Sequence, residues 1–125
     1  MSSNVNSILI IGLGMIGSSI ALASKSKGIT VYGFDIDNVV VNDAIKKDII
    51  DRDAGTIEEI SSKEFAKNID LIILAVPPKQ TLDVLNKLDG LWNTSITITD
   101  TSSVKNHIKI EDVSNIVLSH PIAGS

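Results

Sequence analysis

Three glycines, Gly12, Gly14 and Gly17, stand at G-x-G-x-x-G spacing in "GLGMIG", directly after the apolar run "SILII". That pattern suits the capture of a diphosphate. Gly12 allows a tight turn, Gly14 lets a phosphate approach the backbone, and Gly17 lets the following helix pack against the preceding strand. Leu13, Met15 and Ile16 fill the positions between and would offer backbone amides to the anion, with the helix dipole behind them. A plain turn ahead of a helix would also explain one glycine here. The second half of the fingerprint is an acid about 20 residues on, which accepts from a ribose 2′-hydroxyl. Asp35 stands 18 residues after Gly17, at the end of a second apolar run, with Ile36 beside it. A carboxylate at that point repels a 2′-phosphate, and the chain's single arginine, Arg52, is remote in sequence. The expectation is NAD, with NADP disfavoured. Asp35 could instead cap the next helix, but Asp37 is better placed for that.

Two further clusters and a histidine follow other apolar runs. In "AVPPKQT", Val76, Pro77, Pro78 and Thr81 would form a stiff ledge under the cofactor's ribose and nicotinamide. Pro77 drives the residue before it into extended backbone, and Pro78 suits the first turn of a helix. The same prolines would equally serve to end a strand. In "DTSSVK", the hydroxyls of Thr101, Ser102 and Ser103 cluster at a strand end, where capping a helix is their commoner use. In "SHPIAGS", His120 follows the run "NIVLS". By position alone it reads more readily as a surface or packing residue than as a catalytic one, and His107 reads as surface.

The elements that must position these residues alternate. "SILIIG", "TVYGFD", "DLIILAV", "SITITD" and "NIVLS" read as strands, several of them apolar at every position, as in a parallel sheet covered on both faces. "GTIEEIS" (55–61) reads as a short, more polar edge strand. Between them, 15–28, 38–48, 62–68 and 79–88 read as helices, and 103–110 as a weak one. Gly28 stops the first, and Asp37 caps the second. In 79–88, Leu82, Leu85 and Leu88 are expected on one face. The pattern predicts an α/β doubly wound parallel sheet, a Rossmann-type NAD(P)-binding domain.

Bulk properties narrow the function. The chain has 125 residues, enough for one domain, with 43% hydrophobic and 21% charged residues. Its formal net charge is −4 and its ten lysines are scattered, which argues against a nucleic-acid surface. No cysteine is present, so disulfides, thiol catalysis and zinc-thiolate sites are excluded, and no metal is expected. No apolar run is long enough for a membrane span, and the N-terminus lacks a basic signal-peptide region. A cytoplasmic setting is expected.

"GLGMIG", "FDIDN", "AVPP", "DTSSVK" and "SHPIAGS", in this order and at these strand ends, together resemble the nucleotide-binding domain of prephenate dehydrogenases, with arogenate dehydrogenases as near kin. The first motif is shared by many dehydrogenases; the last two are far more specific. The resemblance spans essentially the whole chain. It implies oxidation of prephenate by hydride transfer to NAD or NADP, with loss of the ring carboxylate as CO2, to give 4-hydroxyphenylpyruvate, a step of tyrosine biosynthesis. From arogenate the product would be tyrosine. It implies that His120 hydrogen-bonds the substrate's ring hydroxyl and takes its proton, and that Ser103, or failing it Ser102, orients that histidine or hydroxyl. Members of the family continue into an all-helical domain that forms the homodimer and supplies basic groups for the substrate carboxylates. Residues 1–125 correspond to the dinucleotide-binding domain, and negligible turnover is expected from them alone. A β-hydroxyacid-type dehydrogenase or an imine reductase would share the glycine loop but is not expected to carry "SHPIAGS". A non-catalytic NAD-binding module would fit the length but not the histidine motif.

Overall fold

A computed structural model of the chain describes residues 5–88 and 96–101. Five parallel strands form one sheet: β1 (Ser7–Ile11), β2 (Thr30–Phe34), β3 (Arg52–Asp53), β4 (Leu71–Leu74) and β5 (Thr97–Asp100), in the order β3-β2-β1-β4-β5. Among the described residues five helices lie between them: α1 (Met15–Ser26), α2 (Asn38–Lys46), α3 (Ile57–Ile60), α4 (Lys63–Ala66) and α5 (Pro78–Lys87). This is the doubly wound arrangement that the alternating pattern predicts. The strand order reverses between β1 and β4, which leaves a crevice at their carboxyl ends.

The uniformly apolar strands follow from the two-sided burial. Successive side chains of a strand point to opposite faces. Ile8 and Ile10 of β1, with Val31, Leu71 and Ile73, pack against Ile20 and Ala21 of α1 and Val41 and Ala44 of α2. Leu9 and Ile11, with Ile72, Leu74 and Ile98, pack on the other face with Ile60 of α3 and Leu85 and Leu88 at the end of α5. Each isoleucine or leucine buried so completely contributes about 1.5–3 kcal/mol. Neither face could be polar without leaving unpaired groups under a helix layer.

Two local expectations are corrected. Residues 55–61 are not an edge strand; they contain α3. The sequence Thr-Ile-Glu-Glu from Thr56 is a capping box. The Thr56 hydroxyl accepts from the Glu59 amide at 3.2 Å, and the Glu59 carboxylate accepts from the Thr56 amide at 2.8 Å. The edge position goes to Arg52 and Asp53, which pair with Tyr32 and Gly33 of β2. On α5, Leu82 does not share the buried face of Leu85 and Leu88. It is 69% exposed, and half-buried Thr81 and Val84 complete that face instead. Three residues turn a helix through about 300°, so the 82-85-88 series drifts off the stripe that 81-84-85-88 follows.

Asp37 caps α2 as expected, accepting from the Val39 amide at 3.0 Å, and Pro78 opens α5. Gly28, at φ +83°, ends α1 with the paired bonds Ile29 N–H to Ser24 O and Gly28 N–H to Lys25 O. Lys25 ties α1 to the end of α2, its Nζ meeting the Asp48 carboxylate at 2.5 Å and Asp51 at 3.2 Å. The hydrogen bond to Asp48 raises its pKa above the ordinary lysine value, against a smaller opposing effect of burial. The expected helix at 103–110 and strand at 115–119 lie outside the described residues.

Candidate functional site: the crevice at the carboxyl ends of β1, β2 and β4

A cleft of about 490 Å3 opens at these strand ends. That is within the range of about 300–1,000 Å3 typical of small-molecule sites. Ile11 and Gly12 line it from the end of β1, Phe34, Asp35 and Ile36 from the end of β2, and Ala75, Val76 and Pro77 from the end of β4. Gly14, at the start of α1, forms part of its wall.

The glycine loop is built as its spacing predicts, and each glycine answers to a different constraint. Gly12 sits at φ +102°, and a Cβ there would lie 2.6 Å from the Ala75 carbonyl oxygen. At Gly17 a Cβ would lie 1.9 Å from the Gly12 carbonyl oxygen, so only a glycine lets α1 come this close to the turn. At Gly14 a Cβ would meet nothing within 4 Å. Packing within the domain therefore requires Gly12 and Gly17 but leaves Gly14 facing open space.

Helix α1 begins at Met15 with Gly14 at its cap, no capping side chain and no acidic residue in the first turn. The positive end of its dipole and its first amides are left to whatever occupies the cleft. Met15 and Ile16 are exposed at that end, Met15 by 86%. Leu13 is different: its side chain is buried in the core, and its amide is already taken.

The group that takes it is Asp35. One carboxylate oxygen accepts from the Leu13 amide at 2.9 Å and the other from the Asp37 amide at 3.0 Å. These bonds hold the carboxylate rigidly at the lip of the cleft, linking the end of β2 to the glycine loop. Ile36 beside it is 87% exposed.

Helix α5 presents a face that the sequence pattern does not single out. Gln80, Asp83, Val84 and Lys87 line the cleft, a regular helical stripe, with Ile57 of α3 nearby. Thr81, the position expected at the cofactor, is one residue off that stripe and does not line it. The helical period of 80-83-84-87 is present in the sequence; which side of α5 meets the cleft is not. Among the described lining residues Lys87 is the only cation, and it pairs with Asp83 at 3.2 Å. At the end of β5, Thr101 is buried. Ser102, Ser103, His107 and His120 lie outside the described residues. Among the described residues no group of acidic or histidine side chains could hold a metal ion, and no helix is long and apolar enough to cross a membrane.

A parallel sheet in the order β3-β2-β1-β4-β5, a glycine turn into α1 and an acid closing β2 define a Rossmann-type nucleotide-binding domain. The family model described as prephenate dehydrogenase, nucleotide-binding domain, matches residues 20–125. The chain belongs to that family. The prephenate dehydrogenase of Lactococcus lactis is 38% identical over 135 aligned positions, covering 94% of this chain and 34% of the relative. That of Bacillus subtilis is 36% identical over 137 positions, covering the whole chain, glycine loop included, and 35% of the relative. The crystal structure of Aquifex aeolicus prephenate dehydrogenase in complex with hydroxyphenyl propionate and NAD+ superposes with a TM-score of 0.70 at 28% identity, covering 94% of this chain and 40% of that one. The chain thus spans about a third of the length of the curated relatives it matches.

Proposed function

We propose that this chain is the cofactor-binding part of an NAD-dependent prephenate dehydrogenase, acting in tyrosine biosynthesis in the cytoplasm. The observation that carries the proposal is the cleft itself: an open approach to the Gly14 backbone, beside an anchored Asp35, in a chain of this family. A dinucleotide fits these residues. The amides at the start of α1 would hold the diphosphate, Asp35 would accept from the ribose hydroxyls, and Val76 and Pro77 would wall the rest of the dinucleotide.

When bound, NAD supplies the acceptor for the substrate's hydride. The chain's own residues align and deprotonate. His120 accepts the proton of the substrate's ring hydroxyl as that carbon is oxidised and the ring carboxylate departs as CO2. Ser103, with Ser102 as the fallback, orients the histidine or the hydroxyl. Contacts to the substrate carboxylates and the homodimer surface belong to a helical segment of the kind the family carries. The 125 residues alone are therefore expected to bind NAD yet turn prephenate over negligibly; near-normal steady-state rates from them would refute this division of labour.

Cofactor choice tests the reading directly. A 2′-phosphate would sit against the Asp35 carboxylate, and the only cation among the described lining residues is held by Asp83 on another element. Calorimetry is expected to show tighter binding of NAD than of NADP. Asp35→Ser removes charge-assisted hydrogen bonds worth about 1.5–3 kcal/mol. It should weaken NAD by roughly 10- to 100-fold while narrowing its advantage over NADP. Tighter NADP than NAD binding by the unmodified chain would overturn the assignment of Asp35.

A further inference from the structure

We propose that Ser18 is a positioning residue for diphosphate capture: its hydroxyl fixes the Leu13–Gly14 peptide so that the loop's open amides face the cleft. The inference rests on the NAD-binding reading above and adds to it a residue outside the glycine and acid fingerprint.

Leu13 is pinned at three points. Its side chain is buried in the core, its N–H donates to the Asp35 carboxylate at 2.9 Å, and its carbonyl accepts from the Ser18 hydroxyl at 3.0 Å. The carbonyl of Leu13 and the N–H of Gly14 belong to one planar trans peptide and point in opposite directions. With the carbonyl turned toward Ser18, the Gly14 N–H is turned away from it. Gly14 lines the cleft, and a Cβ there would meet nothing. Among the described residues the amides of Gly14, Met15 and Ile16 have no hydrogen-bond acceptor. Three donors at the positive end of α1 therefore stand ready together, and the hydroxyl that sets the first of them is that of Ser18.

Ser19 supplies the contrast. Its hydroxyl donates to the Met15 carbonyl at 2.9 Å, four residues back on an exposed face. That is the ordinary back-bond of a helical serine and changes nothing outside the helix. Half-buried Ser18 reaches five residues back, beyond the helix start and into the loop. Without its hydroxyl the Leu13 carbonyl loses the partner that holds the peptide plane, and the plane becomes free to tilt. A preorganised donor costs a ligand less to use than one that must be ordered on binding.

The test compares NAD, ADP and adenosine on the 125-residue chain, by calorimetry for the first two and ligand-observed NMR for the last. Ser18→Ala should weaken NAD and ADP by about 5- to 10-fold, the size of one lost hydrogen bond. Adenosine, which lacks the diphosphate, should bind as before. Ser18→Thr, which keeps a hydroxyl, should recover most of the loss, and Ser19→Ala should match the unmodified chain. Unchanged NAD and ADP affinity in Ser18→Ala would overturn the proposal while leaving the NAD reading intact. So would an equal loss for adenosine, which would mark Ser18 as a general packing residue. No binding of NAD by the unmodified chain would instead sink the function proposed above.

Discussion

Gly17→Ala is expected to lower the melting temperature by about 10 °C or more and to abolish NAD binding, whereas Gly14→Ala should melt nearly as the unmodified chain does and yet bind NAD at least about tenfold more weakly. The two substitutions add the same methyl group three residues apart. At Gly17 that group would stand 1.9 Å from the Gly12 carbonyl oxygen. Both partners of the clash are backbone, so no rotamer change relieves it. Either α1 lifts from the sheet, taking Ile20 and Ala21 out of the core, or the Gly12 turn opens. Overpacking of this kind costs about 3 kcal/mol or more, a large fraction of the stability of a small domain. At Gly14 the backbone angles are ordinary for any residue and the methyl meets nothing. The folding cost is that of a poorer helix cap, within about 1 kcal/mol. The space it fills is the approach to the loop amides, so a tenfold or greater loss of NAD affinity is expected from steric exclusion of the diphosphate. Thermal melts and NAD titrations of both variants check the pair. A Gly14→Ala chain that binds NAD normally would show that the diphosphate does not come to this backbone.

The second large effect concerns chemistry. His120→Asn is expected to reduce the catalytic rate by about 10²- to 10⁴-fold, the usual contribution of a positioned general base, with NAD affinity nearly unchanged. Asparagine keeps a hydrogen-bonding side chain of similar size but cannot accept and release a proton near neutral pH, which imidazole does readily. The measurement belongs in a polypeptide of the relatives' full length, where turnover and cofactor affinity can be read separately. A tenfold loss of NAD binding with the rate preserved would place His120 in the cofactor site and remove it from the reaction.

Much of this domain is legible in its amino-acid sequence. The strands β1 and β4 announce themselves because a strand buried on both faces must be apolar along nearly its whole length, as Ile8–Ile11 and Leu71–Leu74 are. The glycine loop and Asp35 are readable because their spacing encodes a turn and a strand end, both local. The capping box at Thr56 is also written in the sequence, but the residues around it carry enough β-branched and small side chains to read as an edge strand. The edge strand itself, Arg52–Asp53, carries no signal of its own: two exposed charged residues become a strand only because Tyr32 and Gly33 offer free backbone groups beside them.

The division between the two sources of information follows range. By itself the sequence determined the fold class, the family, the positions of the glycine loop and its acid, and the helix boundaries marked by Asp37, Pro78 and Gly28. All of these depend on contacts within a few residues or on periodicity along one element. Only the tertiary structure decided that Gly12 and Gly17 are required by the domain's own packing while Gly14 opposes empty space. It alone showed that α5 turns Gln80 and Val84, and not Thr81, to the cleft, and that Leu13 is clamped between Asp35 and Ser18. Those distinctions depend on which elements meet across the sheet. A pattern along the chain records that a side chain has a preferred face, but not what that face will find.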